Sequence, residues 1–144
     1  MTARKEQKHR PRSLDSIALG AASHAARRDL SSRVIRDLYL PVLAAPGRED
    51  LRERVARLLA CDFVLFTPRV QAECARAIEA WALSSGHPLE AASEPLYSPR
   101  SWRALHGHLR DPALQLAFEK AAARHDLEDY RDHIYRSAQP GSLA

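Results

Sequence analysis

Along this chain apolar residues recur at the three- and four-residue steps of a helix, and almost never at the two-residue step of a strand. The clearest stretch is Val34, Ile35, Leu38, Tyr39, Val42 and Leu43, which keeps to one helical face. Before it, Leu14, Ile17, Ala18, Ala21, Ala22 and Ala25 share a face of mostly small residues, with Ser13 placed to cap the helix they define. A face so thin must pack closely or be weakly held. Asp29 or Ser31 caps the second helix, Pro41 kinks or ends it, and Pro46-Gly47 makes a turn. A third helix runs from about Arg48 to Cys61, with Leu51, Val55, Leu58 and Leu59 inward. The run Phe63 to Phe66 lacks polar alternation and reads as a buried connection or the tail of that helix.

Thr67-Pro68 is a strong start signal, a capping side chain followed by proline at the first helical position. The helix it opens buries Val70, Cys74, Ala77, Ile78 and Trp81 and stops at Ser84-Ser85-Gly86. Residues 87–99 contain three prolines and read as the main loop. Ser98-Pro99 opens a fifth helix with Trp102, Leu105, His106 and Leu109 on one face. Asp111-Pro112 opens a sixth with Leu114, Ala117, Phe118 and Ala121, and Asp126 caps a short seventh carrying Leu127, Tyr130 and Ile134. The pattern predicts an all-α fold, a compact bundle of six to seven short helices in one domain over residues 13–138. Residues 13–86 and 98–138 are candidate halves about the proline-rich loop, and residues 139–144 a frayed tail.

Charge adds what periodicity does not show. The net charge is +4. Arg4, Lys5, Lys8, Arg10 and Arg12 against Glu6 place all of it in residues 1–12, leaving seventeen basic and seventeen acidic residues in the remainder. Such an arm stays disordered when free, and arms of this kind lie along phosphates. The body is neutral but polarised: residues 27–69 hold nine arginines against six acids, and residues 70–99 one arginine against four glutamates. Arg27, Arg28, Arg33, Arg36, Arg54 and Arg57 fall away from the apolar faces and are the candidates to continue the arm's positive track. The competing reading is ordinary surface, paired with Asp29, Asp37, Glu49 and Glu53.

Candidate chemistry is sparse. The chain has five glycines, no Gly-x-Ser-x-Gly and no phosphate loop. His106-Gly107-His108 and the His125, Asp129, Asp132, His133 spacing have the look of metal-ligand sets. The second is equally a helix with acids near its start and a histidine near its end. No metal, no cofactor and no catalytic residue is expected, and the chain reads as a non-enzyme. Cys61 and Cys74 lack metal-knuckle spacing and read as reduced, buried thiols. The charged N-terminus is not followed by an apolar segment and no apolar run approaches about 20 residues, so a cytoplasmic location is expected.

Three functions fit. The first is a non-catalytic accessory subunit that binds the backbone of RNA or single-stranded DNA within a larger ribonucleoprotein assembly, beside other protein subunits or copies of itself. The second is a helix-turn-helix regulator built on residues 52–81, where the connection is apolar and longer than the usual turn and Glu73 and Glu79 stand against Arg69 and Arg76. The third is a helical adaptor using the acidic 70–99 face and Trp81, Trp102 or Tyr97. In size, helicity and basic character the chain resembles the small subunits of multi-protein CRISPR effector complexes. The resemblance is one of overall description and implies a non-catalytic helical protein that lines a filament and contacts guide or target strands.

Overall fold

The computed structural model describes residues 13–138. Residues 1–12, and with them Arg4, Lys5, Lys8, Arg10 and Arg12, lie outside the described residues, as does the tail 139–144. The described residues form an all-α bundle without strands. Helix α1 (Leu14–Ala26) is capped by Ser13, whose Oγ accepts from the Ser16 N–H at 3.2 Å. Its small-residue face does pack closely. Ala18, Ala21 and Ala25 are buried, and a Cβ on Gly20 would come within 3.1 Å of Leu38 Cδ2.

Helix α2 (Ser32–Val34) runs through a π-helical turn (Ile35–Tyr39) into α3 (Leu40–Ala44). Pro41 therefore does not end the helix. It has no N–H for the carbonyl four residues back, and just before it the ladder widens so that the Leu40 N–H donates to Ile35 C=O. The widened turn keeps Ile35, Leu38 and Tyr39 all inside. Asp29, not Ser31, organises the entry: its Oδ1 accepts from the Ser31 N–H at 3.1 Å, and Ser31 makes no side-chain cap. Gly47, with φ of 87°, turns the chain into α4 (Glu49–Cys61).

Phe63–Leu65 forms a separate 3-10 turn, in which Phe63 is buried and Val64 and Leu65 are exposed. An all-apolar run is thus no guarantee of a buried one. Helix α5 (Pro68–Ser84) starts where Thr67-Pro68 predicts and passes through the middle of the molecule. Residues 87–99 are not a loop: they contain α6 (Leu89–Ser93) and a 3-10 turn (Glu94–Leu96) that bury Ala92, Ser93 and Leu96. Pro88 stands just before α6 and Pro95 in the tight turn, positions where proline does not break a ladder.

Helix α7 (Trp102–His108) begins a few residues after Ser98-Pro99, and α8 (Pro112–Ala138) is capped by Asp111, which accepts from the Leu114 N–H at 2.8 Å. The sixth and seventh helices expected from sequence are one. Residues 122–125 contain no helix breaker, and the Asp126 carboxylate accepts from Tyr97 Oη at 3.1 Å instead of capping. With Ser32–Ala44 taken as one rod, the described residues hold seven helices around one continuous core that includes Ile35, Leu59, Ile78, Leu96, Leu105 and Phe118. No helix among the described residues is long and apolar enough to cross a membrane.

Candidate nucleic-acid interface

Helix α1 ends in a Schellman motif: the Asp29 N–H reaches His24 C=O at 2.9 Å and the Arg28 N–H reaches Ala25 C=O at 3.0 Å. Glycine normally holds the left-handed position of this motif, but here it is Arg28, with φ of 53°. That choice costs about 1 kcal/mol relative to glycine, and it delivers a guanidinium to the groove between α1 and α4. Across the groove, Arg54 and Arg57 are exposed on α4, away from the buried Val55 and Leu59. Arg28, Arg54 and Arg57, with Ala25, Leu58 and Cys61, line a cleft of about 150 Å³.

The cations in this cleft are loosely held. Arg28 stands 3.8 Å from Asp62, Arg57 pairs with Glu53 one helical turn back at 3.0 Å, and Arg54 has no ion pair among the described residues. Arg28 and Arg57 are 66% and 58% exposed, so their pairs are surface pairs that water and salt weaken and a phosphate could displace. Arg100 also approaches Asp62, at 4.0 Å, a second cation on that carboxylate that sequence reading missed because the two residues are distant in sequence. Beside this cleft, and sharing Arg57 and Cys61 with it, lies a second of about 400 Å³ lined also by Glu53, Ala91, Glu94, Pro95 and Tyr97.

The remaining predicted arginines fall elsewhere. Arg27 donates to Ser23 Oγ at 3.4 Å at the end of α1. Arg33 pairs with Asp37 at 3.8 Å, and Arg36 reaches Glu73 on α5 at 3.2 Å, on a different side of the molecule. The first described residue also lies away from the cleft. Ser13 lies at the opposite end of α1, a helix length of about 20 Å away, where Asp15 holds Arg48.

The other candidate chemistry is absorbed into structure. Cys74 is buried, and burial pushes its thiol up to about 12; Cys61 is only half-buried and lines both clefts, against the expectation of two buried thiols. His106 lies 2.9 Å from Glu119 and His108 3.3 Å from Gln71, so the two diverge. His125 stacks on Tyr97 at 4.4 Å and meets Glu94 at 2.8 Å, while Asp129 and His133 are exposed further along α8. Among the described residues no three His, Cys, Asp or Glu converge as a metal would require. Trp81 is buried and cannot present an adaptor surface. Glu79 and Arg76, expected on the surface of α5, turn inward and pair at 2.6 Å. No protein-family model, curated protein or solved structure matches the chain, so its functional reading rests on its own residues.

Proposed function

We propose that the protein is a non-catalytic subunit that holds the backbone of a single-stranded nucleic acid, RNA or DNA, within a larger assembly. The observation that carries this reading is the convergence of Arg28, Arg54 and Arg57 on one cleft, with Arg54 unpaired among the described residues and the other two in exposed pairs. Planar guanidiniums of this kind engage phosphate oxygens bidentately. The adjoining cleft with Pro95 and Tyr97 in its wall suits a strand, whose bases can turn aside onto apolar surface, better than a stiff duplex. The basic residues of 1–12 add positive charge to the same task. The likeness to CRISPR small subunits is consistent with this role and belongs to the same proposal.

The helix-turn-helix reading fits less well. Helix α5, which would have to enter the major groove, buries Val70, Cys74, Ile78 and Trp81 and spends Glu79 and Arg76 on internal contacts. Fluorescence anisotropy with labelled oligonucleotides tests the proposal. Mixed-sequence RNA and a single-base homopolymer should bind alike, duplex more weakly, and deletion of residues 1–12 should reduce affinity for all of them. A strongly enriched duplex sequence from an unbiased selection would favour the regulator and overturn the proposal.

A further inference from the structure

Helix α8, 27 residues long, has two apolar faces. One packs into the bundle through Leu114, Ala117, Phe118 and Ala121. On the opposite side, Leu116, Leu127, Tyr130 and Ile134 stand 52%, 49%, 63% and 50% exposed. With Ala123 they follow steps of seven, four, three and four residues, the seam of a two-stranded coiled coil. From Asp126 to Ser137 every residue is exposed, and beyond the Tyr97–Asp126 hydrogen bond the last turns of α8 bury no side chain against the bundle. A helical extension of that length is marginal unless its apolar stripe is covered.

We infer that the outer face of α8 is a self-association surface on which the helix pairs, parallel and in register, with α8 of a second copy of this chain. Charge identifies the occupant. Glu119 and Asp126 flank the seam on one side, Arg124 and Arg131 on the other, each arginine five residues after an acid. In a parallel pair that offset sets Asp126 against Arg131 of the second copy, twice by symmetry, and Glu119 against Arg124 in the same way. An antiparallel pair brings like flanks together, arginine against arginine and acid against acid. Within one chain Arg124 is engaged by Glu94 and Glu119 by His106, whereas Arg131 has no ion pair among the described residues, so the Asp126–Arg131 pair carries the selection. The β-branched Ile134 and the single lysine, Lys120, at seam positions equivalent to Leu127 favour two strands. From Leu127 onward the seam is clear of the bundle, whereas nearer the start of α8 Lys120 pairs with Glu90 at 3.5 Å and Leu116 lines a cleft with Pro88, Leu89 and Glu90. This inference is independent of nucleic-acid binding.

Sedimentation equilibrium of the full chain tests it. The mass should rise with concentration from 16.1 kDa toward twice that value. Leu127→Lys with Ile134→Lys should hold it at the monomer mass with thermal unfolding of the bundle retained, since both positions are exposed. Arg131→Asp should likewise dissociate the dimer, and adding Asp126→Arg should restore it, because the swapped charges again meet across the pair. In a Cys61→Ser background, Tyr130→Cys should cross-link under mild oxidation, as that seam position meets its own copy only in the parallel register. A monomer at all concentrations overturns the inference. So does a dimer that ignores Arg131→Asp, is not rescued by the swap, or fails to cross-link at residue 130.

Discussion

Arginines do opposite work in two regions of this molecule. At the helix junctions they are largely enclosed and most of their donors are spent on the protein, the buried Arg52 Nε being left without a partner. Arg52, 3% exposed, donates to Leu43 C=O at 2.8 Å and Ser84 Oγ at 3.0 Å, and pairs with Glu49 at 3.0 Å. It places positive charge where α3 and α5 end, the sign a helix C-terminus favours. Arg76 does the same for α7 by donating to His108 C=O, and its partner Glu79 accepts the N–H groups of Arg110 and Asp111 at 2.7 and 2.9 Å at the entry to α8. In the α1/α4 cleft, Arg28, Arg54 and Arg57 are exposed and loosely paired. Arg52 and Arg54 sit two residues apart on one helix, so the contrast comes from helical facing and not from composition. Counting arginines says little; the number of their donors already spent on the protein says more.

The largest expected effect breaks the enclosed side. Glu79→Ala leaves two N–H groups and the Arg76 guanidinium without their carboxylate, and should lower unfolding free energy by about 3 kcal/mol, read from denaturant melts. Glu79→Gln keeps one acceptor and should lose less. Next, Arg52→Met should cost about 2 kcal/mol, because it strands the Leu43 carbonyl while keeping most of the packing volume.

A third test probes the contact between Tyr39 and the segment that follows α1. Tyr39 is buried and its hydroxyl donates to Asp29 C=O at 2.7 Å; burial first, and the Asp29 charge second, push its pKa up to about 12 from 10.0. A raised folded-state value means this contribution to stability is intact below pH 10.0 and is lost as pH climbs toward about 12. Tyr39→Phe should cost about 1 kcal/mol at neutral pH and flatten the alkaline limb of the melting-midpoint profile. The smallest effects on stability belong to the cleft: Arg54→Ala should stay within about 0.5 kcal/mol of the parent. Arg28→Gly should be neutral or stabilising by up to about 1 kcal/mol, since glycine removes the left-handed strain. Both should weaken nucleic-acid binding, which separates them from the enclosed pair.

Local signals read well from the sequence. Ser13, Thr67-Pro68 and Asp111-Pro112 mark helix starts because capping depends on only a few neighbouring residues. What failed was non-local. Proline density suggested a loop at 87–99, yet the prolines fall where a helix or tight turn tolerates them and core packing from distant helices does the rest. Asp126 looked like a cap because its partner, Tyr97, lies 29 residues away. Of the body arginines, spacing showed which left the apolar faces but not which would meet. Arg28 and Arg54 share a cleft because α1 lies across α4, while Arg33 and Arg36 turn toward Asp37 and Glu73. Arg52 breaks the amphipathic pattern of α4, and only its hydrogen bonds explain it.

The central claim is that the under-paired arginines of the α1/α4 cleft hold phosphate. The most direct measurement is the slope of log affinity against log salt concentration for a single-stranded oligonucleotide. It should be made on the full chain and on a variant combining Arg28→Ala, Arg54→Ala and Arg57→Ala. At about 0.7 of a unit for each phosphate the variant no longer neutralises, the slope should flatten by about 2 units while the melting temperature holds. A variant whose slope and affinity match the parent's would contradict the account and leave these arginines as ordinary surface.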